Sequence, residues 1–320
     1  MQNQSLFQDY KVRVQLFDSL DSSPDQLLAP GVHLASHSPE ASAITELHYH
    51  DGLEFGFCRR GAGVFIVDGE VFSFCAPCAS ILLPGQIHRA RSIGAGSQWE
   101  FLTLAPWLKL PNTHRTLAQL LEPVGTLRRK NILGAQDELV FLLNMAVHEL
   151  SGREQYYLQS AMGLLESALC QFLRRTPAKL NKAPGDIRPV APVLNYISQN
   201  YRQDISVDWL ARQFHLSQAS LRRQFESALG ISPLQYLHRV RISTACSLLQ
   251  STSRSILEIS LMVGYASQSS FNRQFQKLCG ESPSAFRSRK ASPREQDGTF
   301  SGQRLADNGL KEPALPGPLQ

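Results

Sequence analysis

Three groups of residues combine type and spacing in ways that do chemistry. His48-Tyr49-His50, followed by Glu54 and then His88, supplies three imidazoles and a carboxylate. On facing strands such a donor set holds a divalent metal such as iron, manganese or zinc, or grips the polar groups of a small ligand. A second group, Cys75-Ala76-Pro77-Cys78, is a lone C-x-x-C pair in strand-like sequence, with no second pair to complete a four-thiolate zinc site. It is expected to be neither a redox switch nor a metal site. The third group is a doubled set of polar side chains: Gln218, Ala219, Arg222 and Arg223, then Gln268, Ser269, Asn272 and Arg273. Arginine, glutamine and asparagine pair bidentately with guanine or adenine edges in the major groove of DNA.

The elements that must position the third group are written in a repeat. SQASLRRQFESALGISPLQY, from Ser217, aligns without gaps on SQSSFNRQFQKLCGESPSAF, from Ser267, with 9 of 20 positions identical. Chance gives one or two, so one structural unit occurs twice. Ser217 and Ser267 are the N-caps of helices. Leu221, Phe225 and Leu229, and Phe271, Phe275 and Cys279, form inward stripes at i, i+4, i+8. Gly230 and Gly280 suit the left-handed residue that ends a helix, with Pro233 and Pro283 soon after. A shorter helix is expected before each, near Val207–Phe214 and Ile256–Val263, which makes two helix-turn-helix units. Gly264 suits the tight turn of the second unit; Phe214 and His215 are less typical in the first. Leu234–Leu249 reads as one continuous helix joining the units, so that two recognition helices reach successive major grooves on one face of DNA.

These residues resemble the AraC/XylS family of bacterial transcription regulators. The resemblance is dense over Val193–Arg287. It rests on Ile256-Leu257-Glu258-Ile259-Ser260, Val263-Gly264-Tyr265, Ser267-Gln268-Ser269-Ser270-Phe271, Arg273, Phe275, Gly280, Ser282-Pro283 and Phe286-Arg287. In the first unit it rests on Leu210-Ala211, Leu216-Ser217, Leu221, Arg223, Phe225, Gly230, Ser232-Pro233 and Tyr236-Leu237, with Arg241 at a basic position of the connecting helix. Ser260 stands where the family usually has Ala, and Phe286 where it often has Tyr. The resemblance implies sequence-specific binding to double-stranded promoter DNA and, commonly, activation of transcription with RNA polymerase as a partner.

The N-terminal half has a different texture. From about Ile44 to Leu104, short apolar runs alternate with turn signals, among them Asp68-Gly69 after Val64–Val67, as in a small antiparallel barrel or sandwich. His48, His50, Glu54 and Gly61 fit the cupin pattern H-x-H-x3-E-x6-G. Pro84-Gly85 with His88 resembles the second cupin motif, one residue short and without its Asn. The rival function is therefore a metal-dependent cupin enzyme fused to a DNA-binding module. The sensor domains of AraC-type regulators are the closer resemblance, and they bind a small effector without catalysis. His48, His50, Glu54, His88 and Trp99 are accordingly expected to bind an effector such as a sugar or related metabolite, with no catalytic residue, no bound metal and no cofactor. Trp107 and Phe101 are further candidates for an aromatic wall. Two helical stripes follow, Leu139, Leu142, Leu143, Ala146 and Leu150, then Leu158, Ala161, Leu165, Ala168, Leu169 and Phe172. By resemblance the second suits a dimerisation helix, which implies a homodimer.

Bulk properties agree with this division. The chain has 320 residues, 42% hydrophobic and 18% charged, enough for two domains with their own cores. Residues 187–290 carry 13 Lys and Arg against 5 Asp and Glu, a net +8 in a chain whose total is +5, as expected of the one segment that meets a polyanion. Six scattered cysteines suit reduced thiols. No stretch approaches the roughly 20 apolar residues that span a bilayer, and MQNQSLFQDYKVRV at the start has no apolar run after a basic stretch, so a secretory signal is not expected. A cytoplasmic, non-enzymatic protein with no membrane partner is expected. The fold expected is α+β and multidomain: a cupin-like β-barrel sensor (1–111), a helical dimerisation segment (112–175), a Pro-rich linker (176–192), an all-α DNA-binding domain with two helix-turn-helix units (193–290) and a disordered tail (291–320).

Overall fold

The computed structural model describes residues 13–15, 27–29, 31–37, 47–121, 131–175 and 186–290. Residues 176–185 of the expected linker and all of the expected tail lie outside them.

Asp68 and Gly69 adopt φ of 48° and 77°, the left-handed pair that a tight two-residue hairpin requires. They join β5 (Leu53–Val67) to β6 (Glu70–Cys75), with Val67 opposite Glu70. β5 also pairs antiparallel with the 17-residue β8 (His88–Leu104), the register shifting around Arg60. About this long pair the sheet runs β1 (Arg13–Gln15), β4 (His48–His50), β8, β5, β7 (Cys78–Leu82), β9 (Ile132–Gly134). β2 (Leu27–Ala29) pairs with β3 (Val32–His37), and β3 with β8. The result is one sheet-rich, cupin-like domain whose ladder does not return on itself among the described residues.

Both faces of this sheet are covered, and β5 shows how. At its far end Phe65 and Val67 point inward to a core with Phe74, Trp99 and Phe101. The alternate residues Val64 and Ile66 join Val71 and Ile87 in a second core, which they share with the C-terminal helices. At the near end Phe55 and Phe57 pack with the helical pair α2 (Glu138–Gly152) and α3 (Tyr157–Arg174), which a short α1 (Leu117–Leu121) precedes. The stripes expected of that pair are as read: Leu139, Leu143, Ala146 and Leu150, and Ala161, Leu165, Ala168, Leu169 and Phe172, are buried, with Leu142 and Leu158 partly so.

The C-terminal part is all helical: α4 (Ala191–Asn200), α5 (Val207–Gln213), α6 (Gln218–Leu229), α7 (Pro233–Ser251), α8 (Ile256–Met262), α9 (Gln268–Cys279) and α10 (Pro283–Lys290). α4 begins inside the segment read as linker, because Pro192 occupies its first turn, where the missing N–H costs nothing. Two capping boxes, Ser232 with Gln235 and Ser255 with Glu258, start α7 and α8.

Candidate functional site

Each recognition helix is built by its sequence. Ser217 Oγ accepts the Ser220 N–H at the start of α6, and Ser267 Oγ accepts that of Ser270 at the start of α9. Gly230 and Gly280 end them in left-handed conformation, φ 67° and 78°. Leu221 and Phe225, like Phe271 and Phe275, are fully buried, while Leu229 is nearly so and Cys279 half-buried. The opposite faces point out. Gln218, Ala219, Arg222 and Arg223 are exposed, as are Ser269, Asn272 and Arg273; Gln268 is half-buried. None of the three arginines makes an ion pair among the described residues, which leaves their guanidinium groups available to bases or phosphates. Gln218 Nε2 donates to Asp208 Oδ1 at 3.1 Å.

The two units are not superimposable copies. Their first helices are 49 residues apart and their second helices 50, so the turn from α8 to α9 is one residue longer than that from α5 to α6. The matching bonds Leu216 N–H to Ala211 O and Tyr265 N–H to Ser260 O place the extra residue at Ala266. The left-handed turn position falls to His215 (φ 53°) in one unit and Gly264 (φ 91°) in the other. Arg241, basic but buried, donates from Nε to Tyr201 O and from Nη2 to Gln203 O, both at 2.8 Å, and so anchors α7 to the end of α4.

In the sheet domain, four of the five expected effector residues come together. His48 and His50 on β4 and His88 on β8 bring their rings together edge to face, His48–His88 at 4.2 Å and His50–His88 at 5.0 Å between centroids. His48 lies opposite His88 in the strand register. Glu54 Oε2 is 3.2 Å from His50 Nε2, and Oε1 is 3.8 Å from His88 Nε2. All four are buried. Burial lowers the pKa of His50, but the Glu54 carboxylate and the Gly52 carbonyl outweigh it and leave it above the ordinary value. His88, with burial and the neighbouring His48 and His50 all acting against charge, is held well below it. Trp99 stands one ring removed: Phe65 lies between it and His88, 5.5 Å from the indole and 6.3 Å from the imidazole. Phe101 stacks on Trp99 at 5.5 Å. Trp107 is outside this wall, 49% exposed, with its ring set over Gly31.

Cys78 is buried against Cys58, its register partner. The Cys58 hydrogen bond and burial push its thiol well up, away from the reactive thiolate.

Sequence reasoning did not anticipate the contact between the two halves. Arg89 Nη1 donates to Asn195 Oδ1, and Arg91 Nη1 to Ser198 O at 2.5 Å. Ser243 Oγ donates to Val71 O at 3.3 Å, and Ser247 Oγ donates to Gly63 O. Glu70 and Arg239 form an ion pair at 3.1 Å. The available signal was the unbroken apolar run Val64–Val67, since a strand with one wet face alternates and a strand covered on both does not.

Comparison with known proteins matches both halves. An AraC-like ligand binding domain matches residues 33–143, and a helix-turn-helix domain matches residues 210–289. The chain is 25% identical over 260 residues to the HTH-type transcriptional activator RhaS of Pectobacterium atrosepticum, covering 78% of this chain and 89% of that one. It is 25% identical over 246 residues to the HTH-type transcriptional activator RhaR of Mannheimia succiniciproducens, covering 76% and 87%. Over 123 residues it is 34% identical to the probable transcriptional regulator LumQ of Photobacterium leiognathi, covering 38% and 46%. A sensor-type sheet and a doubled helix-turn-helix thus occur in one chain, the match to the two activators runs along most of their length, and the chain belongs to the AraC/XylS family of DNA-binding transcription regulators.

Proposed function

We propose that this chain is an effector-responsive activator whose helices α6 and α9 read promoter DNA. Gln218, Ala219, Arg222 and Arg223 enter one major groove, and Gln268, Ser269, Asn272 and Arg273 the next. The observation that carries this reading is the pairing of two exposed, basic, amide-bearing faces with two identically capped helices. The 19-residue α7 between the units is about 28 Å long at 1.5 Å per residue, in keeping with grooves about 34 Å apart. Because the two faces differ in residue type, one chain reads an asymmetric site of about two helical turns.

The sheet domain takes the effector, a sugar or related polar metabolite, at His48, His50, Glu54 and His88, with Trp99 behind them. It binds without turnover, so the protein is a regulator and not an enzyme. Named relatives are activators, which supports contact with RNA polymerase at the promoter. The chain acts in the cytoplasm as a homodimer through the 112–175 segment; no helix of the described residues is long and apolar enough to cross a membrane. An effector acts through its unequal affinity for two arrangements of the domains, and the polar seam around Arg89 is the part such a change must repack. Mapping the bound sites across the source genome tests the reading. Discrete asymmetric sites beside metabolic genes are expected, and affinity for random duplex equal to that for the mapped sites would refute it.

A further inference from the structure

His50, Glu54 and His88 place their ligand-capable atoms within 4.8 Å of one another, all three side chains being buried. Two features distinguish this cluster from an ordinary buried ion pair. Each imidazole commits Nδ1 to a backbone carbonyl, His50 to Gly52 O at 3.0 Å and His88 to Gln86 O at 2.8 Å. A carbonyl only accepts, so Nδ1 carries the proton, and in the neutral ring Nε2 then presents its lone pair. Metal-binding imidazoles are oriented by the same device. The second feature is that His88 Nε2 is buried without a hydrogen-bond partner in the protein, while His50 Nε2, equally buried, faces Glu54 Oε2 at 3.2 Å. His88 Nε2 therefore turns a lone pair toward the lone pairs of Glu54 Oε1, an arrangement that a cation between them makes favourable.

We propose that His50 Nε2, His88 Nε2 and the Glu54 carboxylate bind a divalent first-row transition-metal ion of the iron, manganese, cobalt or zinc class, with its open positions taken by oxygen donors of the effector. This rests on the reading of the cluster as the effector site and departs from the sequence expectation that it holds no metal. Two imidazoles and one carboxylate suit this class, whereas calcium and magnesium want oxygen alone and copper(I) wants sulfur. Ligands about 2.1 Å from a common metal lie about 3.0–3.4 Å apart; the carboxylate stands 3.2 and 3.8 Å from the two imidazoles, and the set, within 4.8 Å, would draw in around the ion. An open-sided ion selects effectors with adjacent hydroxyl or carboxylate groups.

The test uses the purified full-length chain, stripped with chelator and titrated with Co(II), whose visible absorption reports its ligands, and with Zn(II) by calorimetry. One tight equivalent is expected, with a chelator-reversible rise in Tm and affinity at least about tenfold weaker in Glu54→Gln and His88→Gln. Should a variant fail to fold, the Co(II) spectrum of the wild-type chain still decides, since mixed nitrogen and oxygen ligation is required. Absence of saturable uptake, or uptake unchanged in both folded variants, overturns the proposal. A chain that takes up no metal yet changes its promoter affinity with a polar metabolite overturns the metal and leaves the effector reading standing. Metal bound through these residues, with promoter affinity indifferent to every hydroxy or carboxylate metabolite tried, upholds the ion and overturns its place in effector binding.

Discussion

Arg89 of the sheet donates a hydrogen bond to Asn195 of the DNA-binding half, 106 residues away in the chain. Both are buried, and burial pushes the guanidinium pKa down to about 10. Arg89 follows His88 directly, and successive strand residues face opposite ways. One peptide bond therefore separates the candidate effector cluster from the seam between domains. Two residues on, Arg91 repeats the contact at Ser198 and lies over the Tyr201 ring at 4.6 Å. Asn195→Ala strands a buried donor and should cost about 1–3 kcal/mol. Combined with Arg89→Ala it should show a coupling of about 0.5–3 kcal/mol in denaturant unfolding. Strict additivity would show that the bond does not hold the halves together.

On the DNA side, Arg222→Ala and Asn272→Ala should each cost about 1–3 kcal/mol and relax base preference at one position, each in a different half of the site. Fluorescence anisotropy with single-substituted duplexes reads this directly. Loss of affinity that is uniform across all duplexes would assign these side chains to phosphate.

Glycines of similar φ should differ in tolerance. At Gly230 (φ 67°) a Cβ meets nothing within 4 Å, so Gly230→Ala should cost only the left-handed conformation, about 1–2 kcal/mol. At Gly264 (φ 91°) the added carbon would lie 2.8 Å from the Arg202 carbonyl oxygen, and Gly264→Ala should cost more. Thermal melts of the two variants compare them; equal losses would refute the packing argument.

The hairpin turn should respond to pH. Burial raises the Asp68 pKa, and the bonds from Gln86 Nε2 at 3.0 Å and Ile87 N at 2.9 Å only partly counter it. An acid whose pKa is higher folded than unfolded stabilises the fold below the unfolded value and loses that contribution as pH rises through the folded one. Asp68→Asn, which keeps an acceptor and tolerates φ 48°, should gain on the wild type in Tm between about pH 4 and neutrality. A difference constant with pH would sink this reading.

The helix-turn-helix units were legible because their signals are local: a capping serine, an aromatic stripe at four-residue spacing and a terminal glycine each declare themselves within a dozen residues. The histidine cluster was legible as a set, since a short motif names its members, but no motif or spacing tied Trp99 to it. Phe65, the ring between His88 and Trp99, was hidden in an apolar run. The seam was illegible because its polar partners look like surface residues. Asn195, Ser243 and Ser247 gain meaning only from carbonyls and a guanidinium more than a hundred positions earlier. The extra residue at Ala266 was invisible because the gapless match began one residue after it.

The seam also sets how the protein behaves when divided. Each half brings both polar and apolar groups to it: Asn195, Ser243, Ser247 and the Ser198 carbonyl on one side, Arg89, Arg91 and the carbonyls of Gly63 and Val71 on the other. Val64, Ile66, Val71 and Ile87 of the sheet lie in one core with apolar residues of the C-terminal helices. Cutting the chain there wets apolar surface on both pieces. A hybrid regulator built by grafting the C-terminal half onto a foreign sensor should thus need a sensor that covers the same surface, and the boundary between the domains is not a neutral place to cut.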